Sequence, residues 1–251
     1  MILDEILKRS ISLSNGLSLE DIFVGIPYTF VIVEGENRRS LGIAPTPMRY
    51  LVDRPRIRPP RPVKDIKGAI SLLTSDDMLE RAIGLAAVNA VSQHHIDLDR
   101  EDNLLDPFYA LHDHLRPGVQ LVVVSGEDLP LPRMRGCDVR KFRDGAKSEN
   151  DLPLSLLPEH LHTADIVIMD GYSLMSGVAE VVRSYARSAE IVMIMGPTAQ
   201  VHPDLLHGTG ITHVSSMKTI DIEDAVEKLK RGMWTSYLSG CKTYTFEIVE
   251  R

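Results

Sequence analysis

Residues 164–177 read ADIVIMDGYSLMSG, which is an apolar run, a glycine turn and the beginning of a helical pattern. A short apolar run bounded by turn residues is typical of a strand buried on both faces. The same change from apolar run to helical segment recurs on both sides of this stretch, so the region predicts βαβ units around a mostly parallel sheet. The predicted strands are 120–124, 139–142, 165–169, 190–195 and 211–214.

Helical patterns separate these strands. They lie at 104–114, 154–161, 174–188, 203–206 and 221–230. Helices between parallel strands cover both faces of the sheet. The fold class predicted for this part of the chain is therefore a Rossmann-like, three-layer α/β domain.

The preceding residues predict a small α+β unit. Apolar spacing indicates a helix over 2–13 that packs on a sheet, and the segments 22–33 and 40–44 resemble strands of an antiparallel meander. Helices are predicted at 63–73 and 77–92, and the second is rich in Ala and Gly, which permits close approach to a neighbouring element. A polar stretch over 93–103 predicts a boundary between domains 1–93 and 94–251.

Composition excludes several functional classes. The chain has 251 residues and a net charge of −7, which disfavours binding to nucleic acid. The apolar runs are too short to span a membrane, and the beginning of the sequence does not resemble a secretory signal. The two cysteines, Cys137 and Cys241, form no CxxC spacing. We therefore expect a cytoplasmic protein with a small-molecule or metal ligand.

Ligands of parallel α/β sheets bind beyond the carboxyl ends of the strands, and three loops are predicted there. The first is 170–173, where Asp170, Gly171 and Ser173, with Ser176 one turn later, offer close backbone approach and hydroxyl groups. The backbone N–H groups at the beginning of helix 174–188 are expected to contact the anionic end of a ligand. The second loop contains Gly196, Pro197 and Thr198, and the third, 125–128, carries Glu127. Each loop also has a structural alternative without a ligand. Ser173 could be a simple helix cap, 196–197 an ordinary turn and Glu127 an exposed acid.

Nine histidines raise the question of a metal site. His202 and His207 flank the end of one predicted loop and are the candidate ligands for a heavy or transition metal ion. Scattered surface histidines are the alternative, and no HExxH motif is present.

Five motifs in order carry a family resemblance: VGIPYTFV (24–31), IGLAAVNAVS (83–92), DLP, ADIVIMDGYSLMSG (164–177) and EIVMIMGPTAQVHPDLL (190–206). Together they resemble the heavy-metal-chelation family, whose members join an enolase N-terminal-like domain to a Rossmann-like domain. The resemblance implies a ligand site in the cleft between the domains.

Carried over by position, the resemblance implies a set of ligand-binding residues. They are Tyr28, Thr29, Asn89, Gly171, Leu174, Gly177, Gly196, Pro197 and Thr198. Family members usually carry asparagine and threonine where this chain has Ser176 and Val178, so this loop differs in its hydrogen-bonding side chains.

The resemblance implies a protein that handles a small anionic or metal-chelating compound, with a metal ion or metal chelate as its cofactor. An enzyme that uses S-adenosylmethionine or a dinucleotide, with Glu127 or Asp128 on the ribose, is the alternative. A homo-oligomer, most simply a dimer, that has lost catalysis is the third hypothesis.

Overall fold

A computed structural model describes residues 1–52, 59–98, 107–126, 129, 136–144 and 148–249. The helices are α1 (Ile2–Leu13), α2 (Met48–Val52), α3 (Ile66–Ser71), α4 (Met78–His95), α5 (Pro107–His112), α6 (Leu157–Leu161), α7 (Tyr172–Met175), α8 (Val178–Tyr185) and α9 (Ile222–Lys230). The strands are β1 (Ser18–Val24), β2 (Tyr28–Gly35), β3 (Arg38–Pro45), β4 (Gln120–Val124), β5 (Asp138–Arg143), β6 (Asp151–Pro153), β7 (Ile166–Met169), β8 (Ile191–Met195), β9 (His213–Thr219) and β10 (Cys241–Glu247).

The first unit is an antiparallel sheet, in the order β1-β2-β3, with α4 packed across it. The backbone of α4 reaches the sheet at Gly42, where an added Cβ would lie only 2.7 Å from the Cα of Ala90. Small residues at this crossing allow the helix and strand to approach closely, as the Ala-rich sequence predicts. The helix begins at the predicted residue, because Asp77 accepts hydrogen bonds from the backbone N–H groups of Leu79 and Glu80.

The second unit is a seven-stranded sheet in the order β10-β9-β8-β7-β4-β5-β6. All neighbouring strands are parallel except β10, which runs antiparallel to β9. Alternate residues of the central strands face opposite cores: Val167 and Met169 pack beside α6 and α8, whereas Ile166 and Ile168 face the side covered by α5. The predicted α/β class, a small antiparallel unit followed by a mostly parallel sheet, is confirmed.

The two units interlock through α9. Phe30 and Ile32 of β2 project away from α4 and pack against Ala225 and Leu229 of α9, so the small sheet has a helix from each unit on its two faces. Polar contacts add to this junction, because Gln200 Oε1 accepts the backbone N–H of Ile43 at 2.8 Å. The small sheet is therefore completed by the second half of the chain.

Several elements differ from the sequence-based predictions. The single helix predicted over 174–188 is two helices, α7 and α8, because Gly177 adopts a left-handed conformation with φ 84° between them. The segment 22–33 contains parts of two strands, and α1 packs against α3 and α4 instead of lying on a sheet. Strands β6 and β10 were not predicted.

The predicted boundary between domains 1–93 and 94–251 stays a prediction. The boundary at 93/94 falls in the last turn of α4, which ends at His95. No helix in the described ranges is long and apolar enough to cross a membrane.

Candidate functional site

A cavity of about 220 Å³ lies between the two units, beyond the carboxyl ends of β4, β5 and β7. Open parallel sheets bind ligands at this edge. We call this cavity the cleft. Its lining residues are Pro27, Pro45, Thr46, Pro47, Met48, Arg49, Val124, Ser125, Gly126, Phe142, Arg143, Asp144, Asp170, Tyr172, Ser173, Val178, Thr198 and Trp234.

Asp170, at the end of β7, is the buried acid of the cleft. Its Oδ2 accepts hydrogen bonds from Ser125 Oγ (3.0 Å) and Gly126 N (2.8 Å), and its Oδ1 accepts from Ser173 N and Ser173 Oγ (both 3.1 Å). Burial raises the pKa of the Asp170 carboxyl above its usual value, and these hydrogen bonds oppose that rise. One N–H and one O–H at each oxygen match an ionised carboxylate, which only accepts. The carboxylate thus fastens the end of β4 to the loop after β7.

Two ion pairs bring arginines to the opposite side of the cleft. Arg143, the last residue of β5, is buried beside Asp151, with 3.5 Å between Nε and Oδ2. Arg49 in α2 pairs with Asp144 at 2.7 Å, and both of these side chains are more than half exposed. Because Arg49 comes from the first unit and Asp144 from the second, this pair joins the two sides of the cleft at its surface.

The remaining lining is largely apolar. Prolines from the first unit, Met48, Phe142 and Val178 contribute carbon surface. Trp234 lines the cleft with about half of its surface exposed, and its ring stands edge-on to that of Tyr28 at 5.9 Å. Burial and the nearby charges of Asp144 and Asp170 raise the pKa of the Tyr172 hydroxyl. The cleft therefore combines charged groups with a surface suited to an apolar body.

Three of the predicted site residues, Asp170, Ser173 and Thr198, line the cleft. Gly171 does not line it, because its backbone lies against Thr198: an added Cβ would come within 2.5 Å of the Thr198 carbonyl carbon. The sequence analysis predicted that this glycine lets a ligand approach the backbone. In the structure, a glycine is needed here because two loops pack closely together.

Other residues implied by the resemblance form the framework beside the cleft. Tyr28 is buried, with its hydroxyl 3.2 Å from Thr235 Oγ1, and the Thr29 hydroxyl lies 2.9 Å from Thr46 Oγ1. Asn89 Nδ2 donates to the carbonyl oxygens of Ile43 and Thr198 at 2.8 and 2.9 Å, joining the two units.

The remaining predicted site residues do not line the cleft or lie outside the described residues. Gly196 and Pro197 form the turn after β8, where Gly196 has φ 113°, and they do not line the cleft. The buried Ser176 Oγ has no hydrogen-bond partner in the described part of the chain and also lies outside the lining. Glu127 and Asp128 lie outside the described residues.

The predicted anion site at the beginning of helix 174–188 needs correction. The helix that begins there, α7, has only four residues, and one backbone donor of its first turn is already used: Ser173 N donates to the Asp170 carboxylate. A carboxylate of the protein therefore occupies the position that the sequence assigned to an external anion.

His202 and His207 lie in a different groove, between the end of α4 and the end of β10. Asp204 lies between them: His207 Nε2 is 3.3 Å from Asp204 Oδ1, and His202 Nδ1 accepts the backbone N–H of Asp204 at 3.2 Å. Within the described ranges, no three His, Cys, Asp or Glu side chains are arranged to hold one metal ion. Metal binding by this histidine pair stays a prediction.

Sequence reasoning missed Arg49, Arg143 and Trp234. Arg143 directly follows the predicted strand 139–142, so its position beyond a carboxyl end was an available signal. Arg49 and Trp234 had no such signal, because they reach the cleft through the packing of the two units.

Comparisons with known proteins place this arrangement in a family. Residues 132–247 match the DUF364 family model and residues 5–92 match the DUF4213 model, and both are described as "Putative heavy-metal chelation". A protein from Methanocaldococcus jannaschii named "Uncharacterized protein MJ0500" is 29% identical over 263 residues, covering 99% of this chain and 98% of that protein.

Solved structures show the same fold. A DUF364 protein of unknown function from Pyrococcus horikoshii aligns with a TM-score of 0.88 and 31% identity, over 98% of this chain and 100% of that chain. A DUF364 protein of unknown function from Desulfitobacterium hafniense aligns with a TM-score of 0.73 and 17% identity, covering 97% of this chain and 98% of its own. The chain therefore belongs to the DUF364 family, which is described as "Putative heavy-metal chelation".

Proposed function

We propose that the protein binds a small anionic organic compound of the metal-chelating type in the cleft between its two units. The observation that carries this proposal is a buried arginine, Arg143, lining a cavity at the carboxyl edge of the parallel sheet. Arginine presents a planar set of N–H donors that matches a carboxylate, and its interactions strengthen where water is excluded.

The size of the cleft limits the ligand. The cleft has a volume of about 220 Å³. Sites for drug-sized ligands usually occupy about 300–1,000 Å³. The volume formed by the described residues therefore favours a compact acid over the alternative of a dinucleotide or S-adenosylmethionine.

The side chains of the cleft do not fit a bare metal ion. Among its described lining residues there is no His, Cys or Glu, and soft metals prefer thiolate or imidazole ligands. The Asp170 carboxylate accepts four hydrogen bonds from the protein, and Asp144 is paired with Arg49. A metal in this cleft would have to be coordinated by the organic ligand itself.

The experiment compares two substitutions that break the same buried ion pair. Arg143→Met and Asp151→Asn should both lower stability, because each removes one charge of this buried ion pair. Anion binding should respond in opposite ways. Oxalate, the probe, should bind the wild type, bind at least about tenfold more weakly to Arg143→Met, and bind equally or more tightly to Asp151→Asn.

Isothermal titration calorimetry measures these affinities, and chemical denaturation confirms that both variants are folded at the working temperature. Equal loss of oxalate binding in both variants, or none in Arg143→Met, would contradict the proposal. Native mass spectrometry of untagged protein adds an independent readout, since a small acid retained through purification should appear as a mass increment. The same spectrum tests the predicted homodimer.

A further inference from the structure

The charges around the cleft suit a ligand that carries both signs. Its lining contains two arginines, Arg49 and Arg143, and two aspartates, Asp144 and Asp170. We infer that the ligand belongs to the amino acid class: a compact aminocarboxylate whose ammonium group faces Asp170 and Ser173 and whose carboxylate faces Arg143. This inference rests on the proposed function and specifies its ligand.

The acidic side of the cleft is formed by the Asp170 carboxylate. Asp170 is buried, and in the described part of the chain no Lys, Arg or His forms an ion pair with it. Its partners are neutral N–H and O–H groups, so its negative charge is solvated by dipoles without being neutralised. A buried charge of this kind is costly unless a countercharge approaches it. A ligand ammonium that donates to Ser173 Oγ supplies that countercharge nearby, without a direct hydrogen bond to Asp170, whose oxygens already accept four hydrogen bonds.

The orientation of the Ser173 hydroxyl is the second step. Ser173 Oγ donates its hydrogen to Asp170 Oδ1 at 3.1 Å. A hydroxyl has only one hydrogen, so the oxygen can offer only lone pairs to anything in the cleft. This part of the lining therefore selects a hydrogen-bond donor. A carboxylate, which only accepts, is repelled here.

The basic side of the cleft lies two strands away. Arg143 ends β5 and Asp170 follows β7, with β4 between these strands. Neighbouring strands are about 4.8 Å apart, so the backbones at the two charged positions are separated by roughly 10 Å along the sheet edge. Both side chains line the cleft. One small molecule can therefore contact both ends, with opposite groups toward Arg143 and Asp170.

The apolar lining defines the rest of the ligand. Met48, Phe142, Val178 and Trp234 offer carbon surface around the charged groups. A cavity of about 220 Å³ has room for a free amino acid with an apolar side chain, but little more. Aminocarboxylates also coordinate metals through nitrogen and oxygen, which agrees with a chelating type of ligand.

The test removes one charge of the ligand at a time. L-alanine, L-leucine and L-phenylalanine are each titrated with their analogues: propionate, 4-methylpentanoate and 3-phenylpropionate lack the ammonium, and the three amino acid amides lack the carboxylate. We expect at least one amino acid to bind, and both of its analogues to bind at least about tenfold more weakly. Absence of binding by all three amino acids overturns the inference.

Variants at Ser173 identify the end of the cleft that is involved. Ser173→Ala should weaken binding of the amino acid and leave its desamino analogue unaffected, because only the ammonium uses this hydroxyl. Ser173→Thr keeps a hydroxyl and should restore binding. Equal effects of Ser173→Ala on both ligands would contradict the assignment, and thermal unfolding of each variant controls for loss of structure.

The outcomes separate this inference from the proposed function. If the desamino acids bind as tightly as the amino acids and Arg143→Met abolishes their binding, the cleft binds simple anions and only the inference fails. If the amides bind while the desamino acids and oxalate do not, the ligand is a cation and both proposals fail.

Discussion

Gly171 shows how a single residue can support the site without contacting a ligand. Gly171→Ala would place a Cβ within 2.5 Å of the Thr198 carbonyl carbon and 2.7 Å of Thr198 Oγ1. Backbone cannot yield as a flexible side chain does, so we expect overpacking to lower the free energy of unfolding by about 1–3 kcal/mol. Urea denaturation measures the loss.

Gly126→Ala is the matched control, because it stands on the facing loop and, among the described residues, its added Cβ would meet only Asp170 Oδ2, at an ordinary 3.8 Å. We expect a change of at most about 0.5 kcal/mol for this variant. Equal destabilisation by the two substitutions would show that the contact with Thr198 is not what requires a glycine at 171.

His94 gives the protein a specific acid sensitivity. The side chain is 1% exposed, and burial, followed by the charge of Arg38, lowers the pKa of its imidazole from 6.5 to about 4. Between these values the unfolded chain binds more protons than the folded one, so stability falls as the pH falls from 6.5 toward 4. The loss from this residue should be on the order of 2 kcal/mol.

Unfolding free energies of the wild type and His94→Gln between pH 4 and pH 7.5 measure this contribution. The variant should be less stable at neutral pH and should show a smaller decrease on acidification, because it has no imidazole to protonate. Parallel curves for the two proteins would assign the acid sensitivity to other groups.

At the scale of elements, sequence patterns correctly predicted the helices and strands whose hydrophobic pattern lies entirely within their own residues. The helix at 2–13 and the strand at 120–124 were predicted with the bounds observed in the structure. The prediction of one long helix at 174–188 was wrong. Its apolar spacing continues through Gly177, whose left-handed backbone separates one helix from the next. Periodicity reports which face is apolar, and it does not detect a change of axis at one residue.

Packing partners were harder to predict than the elements themselves. The helix at 221–230 was expected, and α9 spans Ile222–Lys230. Its contact with β2 joins residues almost 200 positions apart, and no local pattern specifies such a pairing. The same limit applies to the cleft: Asp170 and Ser173 follow a predicted strand, whereas Arg49 and Trp234 reach the cleft only after the units dock.

The buried contacts between the two units predict that the whole molecule unfolds as one cooperative body. One apolar core contains Val31 and Ala86 from the first unit together with Met169 and Leu174 from the second. Asn89 and Gln200 add hydrogen bonds across the same junction. Opening the two units about a hinge would expose this core to water. Ligand entry by domain opening would therefore have a large free-energy cost.

This interlocking predicts that residues 1–93 do not fold alone. Removing the second half exposes Phe30 and Ile32 on the face that α9 covers and uncovers the side of α4 that contacts α7 and the shared apolar core. A three-stranded sheet with helices packed on only one of its faces cannot compensate for that loss, since small domains bury too little apolar surface.

We therefore expect a 1–93 fragment to be aggregated or unfolded by circular dichroism and by amide NMR dispersion. The full chain should unfold in a single transition, monitored both by circular dichroism and by the fluorescence of its one tryptophan, Trp234, which touches Tyr28 across the junction. A fragment with a dispersed spectrum and its own cooperative transition would show that the first unit is an independent domain. The docked α9 would then not be needed for folding of the small sheet.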